Sequence, residues 1–549
     1  MESLNTQNKH IGWWEKSISE PVTGKNAVLQ AISNIKDPVY IISKNGNLSV
    51  VQDGIASIGS KETKEIKGFP LLAYAPPLLP EDLGDPVFKK RYNLRFAYIV
   101  GAMANGITST EMVEAAGRAG MLGFFGSGGL TIPEIEKAIH DLKRRLDTFP
   151  FGLNLIHSHN SPEFELETVR LYLKHQVSLI SASAYLELTL PLVYFRIKGI
   201  YRNTQGEIVC PNKIIAKVSR IEVASKFLSP PPEKLISQLI EKKMISPEEA
   251  SLAEHISMAD DITAEADSGG HTDNRPAISL LPTMIALRNN FTNKYNYSKP
   301  IGVGLGGGIA TPESAAAAFA LGASYVLTGS INQSCTEAGT SETVRQMLAQ
   351  AKQADVVMAP SGDMFELGVK VQVLKRGTMF PMRASKLYDI FTKHDNFENI
   401  PDDQKEFVEK KLLRCSFEKE WEQTKKFFAG IDPKQIDIGE KHPKHKMALI
   451  FRSYLGRAST WANTGDPSRT IDYQIWCGPS MGAFNEWVKG SFLEDYKNRK
   501  IVTVALNLLY GASITTRAGW LRTQAIELPA NAASFTPIKD QKIWEFIGK

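Results

Sequence analysis

The sequence sets one imidazole in a glycine turn, and that pairing defines the chemistry open to it. Residues 261–276, DITAEADSGGHTDNRP, alternate apolar side chains (Ile262, Ala264, Ala266) as a strand does, stop at Asp267 and turn through Ser268, Gly269 and Gly270. His271 follows, flanked by Asp273, Asn274 and Arg275. Histidine titrates near neutrality, so an imidazole at a strand end suits proton transfer or polarisation of a carbonyl. A loop histidine that only ties the turn together fits the same residues. The choice rests on what else converges there.

Two further glycine turns are suited to an anion. Gly306-Gly307-Gly308 precedes Thr311-Pro312, an N-cap with proline at the first helical position, and Gly329-Ser330 follows an apolar run. Such turns offer free N–H groups and the favourable end of a helix dipole. Gly302-x-Gly304-x-x-Gly307 also fits a dinucleotide fingerprint, which needs an acidic residue ending the next strand; here that strand ends Thr328-Gly329-Ser330. A terminal monophosphate is the better ligand. Other clusters carry less. His157-x-His159 lacks a third metal ligand at suitable spacing, so no metal site is expected, and His442 and His445 sit in a basic, solvated stretch. Glu265 and Asp267 share a strand face as an acid/base pair would, but the glycine-histidine turn beside them favours a cofactor floor. There is no Walker loop, no G-x-S-x-G elbow and no internal repeat.

Positioning these groups calls for a parallel α/β fold. Apolar runs at 97–101, 121–125, 151–155, 177–181, 214–219, 261–266, 301–305 and 324–328 alternate with helical stretches, matching the strand number and size of a (β/α)8 TIM barrel. At or just past the ends of those runs stand Met103-Ala104, the 126–129 turn, Asn154, Ser183, Lys217, the 267–271 turn, Gly306 to Gly308 and Gly329-Ser330. In a parallel barrel they share one rim, where the loops after the strands build the active site. Thr108 with Glu111, Thr131 with Glu134 and Ser246 with Glu249 are spaced as capping boxes.

The barrel is expected over 93–390. Residues 1–92 read as an arm with a small β region, including a hairpin at Asn45-Gly46-Asn47 and a proline-rich segment that is either a linker or a wrapping arm. A helical insertion at 229–255 is either a lid or a surface excursion. Residues 369–383 read as an apolar loop edged by Lys375, Arg376 and Arg383, suited to a phosphate-bearing acyl chain or simply packed, and 391–549 as mainly helical around Trp421, Trp476 and Trp487.

Bulk properties narrow the classes. A chain of 549 residues exceeds one compact core, and a net charge of +5 makes no case for nucleic acid. Four scattered cysteines form no C-x-x-C and fit a reducing compartment. The N-terminus lacks the apolar core of a signal peptide, and the apolar run 501–514 is too short for a bilayer. A soluble cytoplasmic protein without a membrane partner is expected.

EADSGGHTDNRP, GLGGGIATPESAAAAFALGASYVLTGSINQ, VLKRGTMFPMRA and WCGPSMGAFNEWVKGSFLE together closely resemble the PfaD-type trans-acting enoyl reductases of polyketide and polyunsaturated fatty acid synthases. The barrel is similar, more distantly, to FabK-type enoyl reductases and nitronate monooxygenases. The resemblance implies FMN, with Met103, Ala104 and Asn154 against the isoalloxazine, Lys217 on the flavin or its ribityl chain, Ser268 and Gly269 in the cofactor floor, and Gly306, Gly307, Gly308, Gly329 and Ser330 around the phosphate. It implies His271 as the catalytic residue. Where those relatives continue GGH differently, this chain has Asp273, Asn274 and Arg275, which are assigned to substrate. NADPH or NADH would supply the hydride, and an acyl carrier protein would present the enoyl thioester, with the basic stretch 441–457 as its docking face. A nitronate oxidase on the same scaffold, or a flavin-free synthase scaffold, are the alternatives.

Overall fold

A computed structural model of the chain describes residues 10–59, 68–157, 162–429 and 432–548. Eight parallel strands close into a barrel: Tyr98–Val100, Leu122–Phe125, Phe151–Ile156, Leu179–Ser183, Lys213–Val218, Asp261–Glu265, Gly302–Gly306 and Val326–Thr328. Each overlaps one expected run. Phe88 and Tyr92, from helix Pro86–Tyr92, form one core cluster with Ile99, Leu122, Phe124, Leu179, Ile215 and Leu327 from the strands and Tyr325 just before the eighth. Burying each large apolar side chain in such a layer contributes roughly 1.5–3 kcal/mol. The same helix sends Arg91 and Tyr92 to the buried Asp261 at the start of the sixth strand, at 2.7 and 2.6 Å. The proline-rich segment therefore closes the bottom of the barrel rather than linking domains.

Helix starts follow side-chain chemistry, with one correction. Glu134 accepts from the Thr131 N–H at 2.8 Å, Glu249 pairs reciprocally with Ser246, and the Ser314 N–H donates to Thr311 Oγ1. At the first barrel helix Ser109, not Thr108, is the N-cap and accepts from the Met112 N–H. Thr108 instead donates to the Gly101 carbonyl and accepts from the Met103 N–H, so it shapes the mouth. The insertion is not a lid. Its helices, Glu233–Glu241 and Pro247–Ala253, lead into the sixth strand, and Glu249 accepts from the Gly199 N–H beyond the helix that follows the fourth strand. The start of the sixth strand and this contact both lie at the end of the barrel opposite the mouth.

The N-terminal region forms a six-stranded antiparallel sheet whose Asn45-Gly46 hairpin takes φ values of 51° and 77°. Residues after the barrel fall into two cores. One joins strands and helices between 359 and 458, including Trp421. The other places residues 473–547 on the barrel and the N-terminal sheet. Trp476 and Trp487 are half-buried. Helix Ile501–Thr523 runs longer than the apolar stretch read from sequence and is long and apolar enough to cross a bilayer, yet 83% of its most apolar window is buried inside the protein.

Residues 369–383 are not a loop but strand Lys370–Leu374 and the start of helix Phe380–Lys393, and Arg383 is spent on the buried Asp472. Part of the basic stretch 441–457 likewise makes internal contacts. Lys444 donates to the carbonyls of Phe391 and His394, Lys446 lies 5.3 Å from the Trp421 ring, and residues 447–451 are buried.

Candidate active site

The strand ends gather the expected residues on one rim. Met103 and Ala104 follow the first strand, Asn154 lies in the third, Lys217 in the fifth, and Ser268 to His271 follow the sixth. The glycine turns follow the seventh and eighth. The Ala266 N–H donates to the Gly306 carbonyl at 2.8 Å, and a Cβ on Gly307 would lie 2.6 Å from the Ala266 oxygen, so the imidazole turn and the glycine turn are in backbone contact. Gly307 and Gly308 take φ of 82° and 77°, which only glycine adopts without strain. Gly329 has nothing within 4 Å of where a Cβ would stand, and Gly308 meets only an alanine methyl at 4.0 Å. The two turns thus line open space.

Lys217 and Glu265, on adjacent strands, pair at 2.6 Å. Asn154 is buried, and its side-chain oxygen accepts from Ser127 Oγ and the Gly128 N–H, leaving its amide nitrogen to offer a ligand. Ser268 Oγ is buried without a hydrogen-bond partner. Buried hydroxyls are almost always satisfied, so an orphan beside open, glycine-lined space fits a pocket for a flavin phosphate. The residues present fit FMN.

His271 stands on a short strand, Gly270–His271, paired antiparallel with Lys370–Leu374. Its Nε2 lies 3.0 Å from Asp363, a residue that sequence spacing gave no means of finding. Burial pulls the imidazole pKa down, but the hydrogen bond and charge of Asp363, helped by Glu265, leave it above the ordinary value of 6.5. Burial pushes the Asp363 carboxyl up, whereas His271 and the Ser361 hydroxyl bring it down to about 2. The pair is thereby suited to an imidazolium held by a carboxylate. Gln372, buried between Val371 and Val373, donates to Asp267 Oδ1 and the Ser268 carbonyl, both at 2.8 Å. A polar residue between Val371 and Val373 was the available signal for it.

The three residues expected at substrate behave differently. Asp273 receives two hydrogen bonds from Arg220, at 2.9 and 2.7 Å, and one from Ser219, which hold its carboxyl down at about 2. Asn274, at φ 50°, donates to Asp267. Through these bonds both help to fix the turn. Arg275 is exposed. His157 bonds Glu165, while His159 lies outside the described residues. Among the described residues, Glu136, His140 and His175 have ligand atoms within 4.8 Å of one another, but they stand on the outer helices, where Lys174 pairs with Glu136.

Residues 90–376 match the nitronate monooxygenase family, and residues 394–473 match the inserted helical domain of [acyl-carrier-protein] S-malonyltransferase. The enoyl reductase domain of MlnA, from the macrolactin biosynthesis cluster of Bacillus amyloliquefaciens, superposes with a TM-score of 0.77 at 39% identity, covering 81% of this chain and 99% of that one. This chain belongs to that enoyl reductase group within the nitronate monooxygenase family. The resemblance drawn from its motifs holds. The polyketide biosynthesis protein PksE of Bacillus subtilis is 42% identical over 94% of this chain, and a polyunsaturated fatty acid synthase component of Thraustochytrium sp. is 44% identical over 83%. The chain spans 65% of the first and 31% of the second.

Proposed function

We propose that this chain is an FMN-dependent enoyl reductase that uses NADPH or NADH to reduce the α,β double bond of enoyl thioesters on an acyl carrier protein, acting in trans for a polyketide or polyunsaturated fatty acid synthase. The observation that carries this reading is the meeting of two open glycine turns, Lys217 and the His271–Asp363 pair at one barrel mouth. The roles for which the MlnA domain and the Thraustochytrium synthase component are named support the substrate class.

Bound FMN would supply the hydride transfer from nicotinamide to the substrate β-carbon. The chain supplies everything around it. Backbone N–H groups of 307–308 and 329–330 hold the phosphate, Met103 and Ala104 form a floor, and the Asn154 amide and Lys217 ammonium serve as polar contacts. As negative charge grows on the thioester oxygen and α-carbon, His271 donates, either stabilising the oxygen or delivering the proton. Asp363 keeps that imidazole oriented and protonated. Arg275 is left available to the incoming acyl arm.

Stopped-flow spectroscopy tests this. Flavin reduced by NADPH or NADH should be reoxidised rapidly by crotonyl thioester and not by a nitronate. Oxygen-dependent nitronate turnover without thioester reduction would move the chain to the oxidase chemistry of its family's name. A purified protein that binds no flavin would make it a scaffold.

A further inference from the structure

We propose that residues 477–480, a segment C-terminal to the barrel, form the outer wall of the phosphate pocket and that Ser480 donates to the flavin's phosphate monoester. This rests on the flavin reading above.

The segment touches both glycine turns. The Gly478 N–H donates to Ser330 Oγ at 3.0 Å, and the Gly308 N–H donates to Ser480 Oγ at 3.2 Å. Its backbone lies against the imidazole turn with no room for a side chain on either face. A Cβ on Gly478 would stand 2.8 Å from the Gly269 nitrogen, and one on Gly269 would stand 2.9 Å from the nitrogens of Cys477 and Gly478. Ser268, whose buried hydroxyl has no partner, lies at this junction, its Cα 3.2 Å from the same built Gly478 Cβ. Thiol chemistry does not explain the close fit: Cys477 is fully buried and its pKa is pushed up to about 12 by that burial.

The segment is held by the same strand that carries the imidazole turn. The Cys477 N–H donates to the Gln372 carbonyl, and Trp476 bridges to Val373. What meets here are the Ser268 and Ser480 hydroxyls beside the two glycine turns, polar groups suited to a dianion with several acceptor oxygens. With a phosphate in place, Ser480 can turn from accepting the Gly308 N–H to donating its own proton outward.

Fluorescence titration of the flavin-free full-length protein with FMN and with riboflavin separates phosphate contacts from ring contacts. Ser480→Ala should weaken FMN about tenfold, as expected for loss of one hydrogen bond to a charged group, and leave riboflavin unchanged. Ser480→Thr, which keeps the hydroxyl, should restore FMN affinity, and Ser480→Asp should abolish FMN binding while sparing riboflavin. Melting of the flavin-free variants confirms their folding. Wild-type binding of FMN with no loss in either Ser480→Ala or Ser480→Asp overturns this inference and leaves the enoyl reductase reading standing. A wild-type protein that binds neither flavin overturns both.

Discussion

His271 and Asp363 lie 92 residues apart in the chain and 3.0 Å apart in the fold. The contact exists because the strand bearing His271 pairs with Lys370–Leu374, which in turn pairs with Val356–Pro360, just before Asp363. Asp363 raises the imidazole pKa, so the protonated donor persists to higher pH. Asp363→Asn should retain flavin, slow thioester reduction about 10- to 100-fold, and move the alkaline fall of kcat/KM to lower pH. An unmoved pH profile would leave Asp363 a merely structural residue.

His271→Ala should keep bound flavin and lose most enoyl reduction. The visible spectrum of the purified variant checks this directly, because loss of the yellow colour would assign the imidazole to cofactor binding instead.

Gly329→Val should fold normally, since nothing lies within 4 Å of its built Cβ, yet fill the space proposed for the phosphate. Expected results are an unchanged far-ultraviolet circular dichroism spectrum and at least a tenfold loss of FMN affinity, as for one charge-assisted hydrogen bond.

Asp273 ties the turn to Arg220, with a carboxyl pKa of about 2 against an ordinary 3.8. A depressed carboxylate stabilises the fold fully above its unfolded pKa, and that contribution is lost as pH falls toward 2. Asp273→Asn should therefore melt below wild type at pH 6, with the gap closing as the buffer is acidified. A gap independent of pH would show that the charge is irrelevant.

Gln372→Leu removes the donor shared by Asp267 and the Ser268 carbonyl. Asp267 keeps its bond from Asn274, but the Ser268 carbonyl is left unpaired, which should cost about 1–3 kcal/mol in chemical denaturation.

The barrel was legible because its strands are mostly buried, mainly apolar runs separated by capped helices, a signal that is local. The rim residues followed from topology once the strands were placed. Thr108 reads as a cap because Glu111 stands three residues on, where Ser109 has only Met112, and the Gly101 and Met103 contacts that occupy Thr108 are not visible in sequence. Lys444 and Arg383 look like surface charge, since nothing in their neighbourhoods announces the carbonyls of Phe391 and His394 or the buried Asp472 that they meet. Asp363, Ser480 and Gly478 reach the mouth through long-range pairing, which periodicity does not encode.

Helix Ile501–Thr523 is wedged between helix Pro312–Ala320, where a Cβ on Gly511 would lie 2.5 Å from Pro312, and the N-terminal region, where Arg517 binds the carbonyls of Ile32 and Asn34. During synthesis, the apolar flank beside the seventh strand and the first sheet must both wait uncovered until this late segment has left the ribosome. A chain cut at the family boundary near 376 would keep every strand of its barrel yet leave both of these apolar surfaces bare.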